Sequence, residues 1–176
     1  MDLEVSAELK TVEGLSWIEA ASESSALVGA AMSVIHPELF KMGTAGIRAL
    51  NEPGTVNKAE TLPQILKHWS APFTGLSLMN NRMTPAHRDN GGGYRWMDLL
   101  LTVGKYRRGL LDLPGLGVKV LYSAGTAVAV SGRVIRHAAS AEGERLCIAY
   151  YMRENVVKKL NLDDPSWAHI RDITAG

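Results

Sequence analysis

His87 and Asp89 flank Arg88 in one tripeptide, and His137 follows fifty positions after His87. Two imidazoles and a carboxylate on one face of a metal leave the other positions open, as in non-haem iron(II) oxygenases that bind a co-substrate and dioxygen together. In an extended chain, residues i and i+2 point the same way, so His87 and Asp89 can grip one ion while Arg88 faces elsewhere. His137 must then come from a distant strand folded back over the first. Isolated histidines are usually ordinary surface or core residues, so the reading depends on what surrounds these three.

The chain between and after them reads as short strands. Met97-Asp98-Leu99-Leu100-Leu101-Thr102-Val103 is an apolar run ended by Gly104, and Val118-Lys119-Val120-Leu121-Tyr122 alternates before the turn-like Ser123-Ala124-Gly125. Thr126-Ala127-Val128-Ala129-Val130 leads into Ser131-Gly132-Arg133-Val134-Ile135-Arg136-His137, and Arg145-Leu146-Cys147-Ile148-Ala149-Tyr150-Tyr151-Met152 forms a last strand. Short strands with Gly and Pro punctuation predict a sandwich or jelly roll with the metal in its mouth.

Arg145 is the second chemical signal. It opens the last strand eight positions after His137, where a guanidinium can project inward and hold the distal carboxylate of a dicarboxylate bidentately. The alternative is a solvated arginine paired with Glu142 or Glu144. Beside the metal, Asn90-Gly91-Gly92-Gly93-Tyr94-Arg95-Trp96 offers glycines, two aromatic rings and a cation. Tyr94 or Trp96 could line a substrate pocket, or one of them could be core. Asn80, Asn81 and Arg82 stand close enough to serve co-substrate or substrate, although turn-forming asparagines explain the pair as well.

The N-terminal third has a different pattern. Residues 16–34 show a loose helical face through Trp17, Ile18, Ala21, Leu27, Val28 and Ala31, continuing to Ile35, and Pro37 with Glu38-Leu39-Phe40 starts another helix. A further short helix is predicted over 62–69, with Pro53-Gly54 and Pro63 marking connections. His36, His68 and His169 read as structural. The expected organisation is one catalytic domain over 1–176: helical support over 1–72, a β core over 73–157 and a tail over 158–176.

With 46% hydrophobic residues in 176, the chain can bury one core. A net charge of +1 makes overall electrostatic attraction to nucleic acid weak, so any phosphate contacts must be local. Candidates are Arg82, Arg88 and Arg95, Lys105-Tyr106-Arg107-Arg108 in a predicted hairpin loop, and Lys158-Lys159. The single cysteine excludes an intramolecular disulfide and suits a reducing compartment. No signal peptide or membrane span is visible, so a soluble intracellular protein is expected.

From about Leu78 to Val157 the chain resembles the TET/JBP group of Fe(II)/2-oxoglutarate-dependent nucleic-acid base dioxygenases, and within it the compact fungal TET-like proteins. The motifs that carry the likeness are Thr84-Pro85-Ala86-His87-Arg88-Asp89, the run Leu99 to Tyr106, Leu113-Pro114-Gly115-Leu116-Gly117, Ser131-Gly132-Arg133 ahead of His137, and Gly143 to Arg153. The resemblance implies an α+β fold: a double-stranded β-helix (jelly roll, cupin-like) core with N-terminal helices packed on the major sheet. It also implies iron held by His87, Asp89 and His137, and 2-oxoglutarate held by Arg145.

Such enzymes oxidise a methyl group of a modified base while 2-oxoglutarate and dioxygen are consumed and succinate is released. 5-Methylcytosine in DNA is the leading substrate, taken to 5-hydroxymethylcytosine and beyond, with N6-methyladenine as a second possibility. A base inside a duplex cannot reach the metal, so base flipping or a single strand is required. The expected site adds Asn81 and Cys147 around the co-substrate, and Asn90, Tyr94, Trp96 and Arg82 around the base. A monomer is expected, in the nucleus if DNA is the substrate, although no basic localisation run is visible.

One departure from the wider pattern stands out. Two positions after the anchoring arginine, many 2-oxoglutarate oxygenases carry Ser or Thr, whose hydroxyl helps bind the same carboxylate; here the residue is Cys147, a weak donor. The competing readings are a 2-oxoglutarate oxygenase acting on a protein or small molecule, and a non-enzymatic metal-binding jelly roll or base-reading module.

Overall fold

A computed structural model describes residues 3–56 and 60–169. Within them Gly75–Glu154 forms one compact unit and the flanking segments form another. Both units are needed to account for the α+β composition.

The flanking unit is helical. After a short 3-10 turn at Glu8–Lys10, helix α1 (Val12–Ala20) starts where the Thr11 hydroxyl accepts the Gly14 amide at 3.0 Å, a side-chain cap for one of the orphan first-turn donors. The helical face expected over 16–34 is divided at Ala21, with α2 running Ser22–Ile35. Serines 22, 24 and 25 compete with helix propagation through their side chains, and the Ser22 carbonyl accepts the Ser70 hydroxyl from outside the helix. Helix α3 (Pro37–Leu50) begins with Pro37 at its first turn, and buried His36 caps it by accepting the Leu39 amide at Nδ1. His36 is thus structural. Helix α4 is Leu62–His68, and α5 (Glu154–Lys159) occupies the start of the expected tail. Residues 170–176 of that tail lie outside the described residues.

The other unit is built on two long antiparallel strands, β3 (Asp98–Leu113) and β6 (His137–Tyr151), paired from Leu99↔Tyr150 to Asp112↔Ala138. Each changes its outer partner along its length. The first part of β3 takes β5 (Ala127–Val130) and the last part of β6 takes β1 (Gly75–Asn80). At the opposite end, β3 takes β4 (Val118–Leu121) and β6 takes β2 (Thr84–His87). Two four-stranded arrays therefore share one bent ladder. The bend is written into the sequence: Gly104 and Gly143 have φ of +127° and +117°, and the register shifts at Arg107/Leu110, where Arg108 has φ +50°. A Cβ on Gly104 would lie 2.2 Å from the Glu144 carbonyl oxygen, so the strands could not keep this crossing. Leu111, Leu113 and Tyr122 form a core cluster reaching Leu100 and Val128 of one array and Val120 and Ala139 of the other.

Three expectations for the strands change. The last strand, expected to open at Arg145, already begins at His137, because small residues such as Ala138, Ala139 and Ser140 pair with β3 without an apolar run to mark them. The apolar run ending at Gly104 is only the first part of β3, because a glycine that bends a paired strand looks in sequence like one that ends it. Consequently Lys105 to Arg108 is no hairpin loop: Lys105 pairs with Glu144 and Arg107 with Glu142 across the ladder, and Arg108 bridges Glu142 at 2.9 Å. Acidic neighbours offset this basic run, which weakens it as a phosphate contact.

Candidate metal and co-substrate site

Strand pairing solves the fifty-residue separation. His87 closes β2, His137 opens β6, and the two are direct cross-strand partners with ring centroids 4.4 Å apart. Asp89 lies just past β2, its amide donating to the Gly132 carbonyl at 2.9 Å, which ties it to the loop that delivers His137. The Asp89 oxygens lie 3.4 Å from His87 Nε2 and 3.6 Å from His137 Nε2. One donor atom from each residue falls within 4.8 Å of the others, the only such His/Cys/Asp/Glu group among the described residues.

The imidazoles are oriented for ligation. His87 Nδ1 lies 2.9 Å from the Pro85 carbonyl and His137 Nδ1 lies 3.0 Å from the Ile135 carbonyl. A carbonyl oxygen only accepts, so each Nδ1 is the donor of its pair, which leaves each Nε2, on the Asp89 side, as the nitrogen that would ligate a metal. This is the outer-shell arrangement that fixes a histidine's tautomer at metal centres. Two imidazole nitrogens and one carboxylate fit Fe(II) with open positions on the far side.

Sequence reasoning missed two residues of this mouth. A Cβ on Gly132 would lie 2.2 Å from Asp89 Oδ2 and 2.7 Å from Asp98 Oδ2, so only glycine leaves room for both carboxylates. Asp98, at the head of β3, has its pKa raised to about 7: burial is the main cause, the Asp89 charge adds to it, and a hydrogen bond from the Gly132 backbone opposes it. The one available signal was a charged residue heading an apolar run.

Arg145 lies on the interior side of β6 and is 3% exposed. Its amide donates to Asn81 Oδ1 and its Nη2 to the Arg82 carbonyl, both at 2.7 Å, while Nη1 is buried without a hydrogen-bond partner. The alternative of a solvated arginine does not hold, since the side chain is buried and donates to a backbone carbonyl, and Glu142 is bridged by Arg108 instead. A buried guanidinium with one unpaired nitrogen fits an incoming carboxylate, the group that 2-oxoglutarate would bring. Asn81, at φ +51°, accepts from the Arg145 amide and donates its own amide to the Arg145 carbonyl at 2.7 Å. Its side-chain oxygen is therefore engaged in holding Arg145, and Arg82 contributes its carbonyl to the same purpose.

Cys147 is buried, with Sγ 3.6 Å from the Tyr122 hydroxyl. Burial pushes the thiol pKa up against smaller lowering effects of Tyr122 and Arg145, so the group stays neutral. The Arg145 guanidinium carbon lies 5.8 Å from the Tyr122 ring centroid.

The glycine-rich loop separates its two aromatics. Trp96 is buried in the core, where a Cβ on Gly93 would strike its indole at 2.6 Å, so it supports the loop and presents no face to a base. Tyr94 is 62% exposed and carries the Arg133 guanidinium 5.0 Å from its ring centroid. Arg133 also donates to the Asn90 carbonyl at 2.9 Å and the Tyr94 hydroxyl at 3.4 Å, so Asn90 offers its backbone to this brace. Arg88 is exposed and donates to the Val134 carbonyl, and Arg136 donates to the Ala86 carbonyl. These bonds knit the β2 end to the His137 loop.

A family model described as Tet_JBP, the oxygenase domain of the 2OGFeDO superfamily, matches residues 6–154. Among solved structures, NgTET1 in complex with 5mC DNA is similar with a TM-score of 0.62 at 14% identity, over 86% of this chain and 56% of that one. The likeness extends to the double-stranded β-helix, and this chain spans little more than half the length of that structure. No curated protein matches the chain.

Proposed function

Because this chain belongs to the Tet/JBP family, the oxygenase domain of the 2OGFeDO superfamily, we propose that it oxidises the methyl group of a methylated DNA base, 5-methylcytosine first. The observation that carries the reading is the conjunction of three converging metal donors with a buried guanidinium that lacks one partner. When bound, Fe(II), 2-oxoglutarate and dioxygen supply the oxidising chemistry: one oxygen atom enters the methyl C–H bond, and the other leaves in succinate as CO2 is released.

The residues of the chain have separable tasks. His87 and His137 hold the ion through Nε2, their Nδ1 protons bound to carbonyls, and Asp89 completes the face. Arg145 takes the distal carboxylate of 2-oxoglutarate from within the sheet unit. Tyr94, stiffened by Arg133, offers an aromatic face at the mouth against which a flipped base can stack, with Arg82, Arg88 and Arg95 as local phosphate contacts. N6-Methyladenine is a second candidate substrate, losing its methyl as formaldehyde after hydroxylation. We take the working unit to be a monomer, with nuclear residence following from the proposed DNA substrate. Among the described residues no helix is long and apolar enough to cross a membrane.

The test is anaerobic loading with Fe(II) and 2-oxoglutarate, then air exposure with oligonucleotides bearing either methylated base, followed by mass spectrometry of nucleosides and succinate. We expect 5-hydroxymethylcytosine with matching succinate. Succinate formation that no DNA stimulates would move the substrate to a protein or small molecule. Bound iron without any turnover would leave a metal-binding or base-reading module.

A further inference from the structure

We infer that Tyr122 is a second co-substrate-binding residue, whose hydroxyl joins Arg145 in holding the distal carboxylate of 2-oxoglutarate and replaces the donor that this chain lacks at Cys147. The inference rests on the co-substrate reading of Arg145 given above and adds a residue that no motif marks.

Tyr122 is fully buried, yet its hydroxyl meets a sulfur: Cys147 Sγ at 3.6 Å. A thiol is a weak partner for a buried phenol, and buried polar groups are normally better satisfied than this. Beside it, Arg145 keeps Nη1 unpaired and interacts electrostatically with both the Tyr122 hydroxyl and the Cys147 thiol. One charged donor and one neutral donor, both poorly satisfied, thus share one interior wall. A carboxylate has two oxygens and can accept from both.

The backbone that carries the ring is also held in place. The Tyr122 amide donates to the Gly109 carbonyl at 2.9 Å, and its carbonyl accepts the Tyr106 hydroxyl at 2.7 Å. Tyr106 is itself held by Thr102 Oγ1 at 3.0 Å. Burial pushes the Tyr122 pKa upward, with smaller contributions from Cys147, so the hydroxyl retains the proton it would donate.

The test is calorimetric titration of 2-oxoglutarate into the Mn(II)-loaded protein, in which no turnover occurs, with oxalate as the reference ligand. Oxalate chelates the ion but has no distal carboxylate. We expect Tyr122→Phe to weaken 2-oxoglutarate roughly 10- to 100-fold, the range of one hydrogen bond to a charged group, and to leave oxalate unchanged. Adding Cys147→Ser to that variant should recover part of the loss by supplying a hydroxyl from the neighbouring position. Thermal melting of the variants checks that they fold. Affinity for 2-oxoglutarate within twofold of the unsubstituted protein, or an equal loss for oxalate, overturns the assignment. If the unsubstituted protein binds oxalate but no 2-oxoglutarate, the co-substrate reading of Arg145 falls, and Tyr122 falls with it.

Discussion

The metal-facing half of the candidate site lies open and its co-substrate half is closed. The side chains of Asp89 and His87 keep 47% and 37% of their exposure, whereas Arg145 keeps 3% and Tyr122 none. In the open half, water can solvate the donors until an ion arrives, so the arrangement needs only oriented lone pairs. In the closed half, a permanent cation has been removed from water and one of its nitrogens lacks a partner, which is costly unless an anion completes it. A donor set with two half-exposed members and a buried His137 is compatible with many ions and with none. A buried, incompletely paired guanidinium is a far narrower statement about what must enter.

The largest expected effect breaks the open half. His87→Ala or Asp89→Ala should abolish iron binding and turnover, while stability changes by no more than about 0.5 kcal/mol because these side chains are partly solvated. Metal content and a thermal melt of the metal-free variants check both parts. Activity retained in purified His87→Ala protein would remove the iron assignment.

Next in size is Arg145→Met, which breaks the closed half. Binding of 2-oxoglutarate should weaken by about 2–5 kcal/mol, the usual loss when one partner of a buried charge pair is truncated. Stability of the ligand-free protein should stay level or rise, since a thioether of similar length replaces an incompletely satisfied buried cation. Equilibrium unfolding beside a binding titration separates the two. A variant that unfolds easily would mean that Arg145 is held for the fold's sake, and the contrast between the halves would disappear.

Each half was legible in part: the three metal donors of the open half and Arg145, Asn81 and Cys147 of the closed half could be named from sequence, whereas Gly132 and Asp98 of the mouth and Tyr122 could not. Metal chemistry restricts residue types so tightly that His87, Asp89 and His137 stand out, and the pairing of β2 with β6 then joins them. Arg145 could be read because a charged residue heading an apolar run is unusual, although the strand itself begins at His137. Tyr122 looks like any core aromatic, and Gly132 like any turn glycine, until the distances from Asp89 and Asp98 are known. The same holds for the fold: the apolar runs located the strands, but continuation of β3 through Gly104 depends on Gly143 bending β6 alongside it, a tertiary fact. Trp96 and Tyr94 have the same sequence credentials, and only packing separates them.

Asp98 sits in the mouth near Asp89, and its substitution should disturb the site least while showing how the mouth tolerates two carboxylates. Its pKa is about 7 in the folded protein against an ordinary 3.8, so between those values the folded state binds a proton that the unfolded state has released. Stability of the metal-free protein must therefore fall as pH rises from about 4 to 7, then level off. The full displacement corresponds to about 4 kcal/mol, and partial contact with solvent reduces the expected change to roughly 1–2 kcal/mol. Asp98→Asn, which cannot ionise, should remove that slope. Asp89→Ala should shrink it only in part, because burial outweighs the neighbouring charge as the cause. Urea unfolding at pH 4.5, 6 and 7.5 measures this. If Asp89→Ala removed the whole slope, charge repulsion within the mouth, rather than burial, would govern Asp98, and the open half would be the more strained of the two before any ion enters.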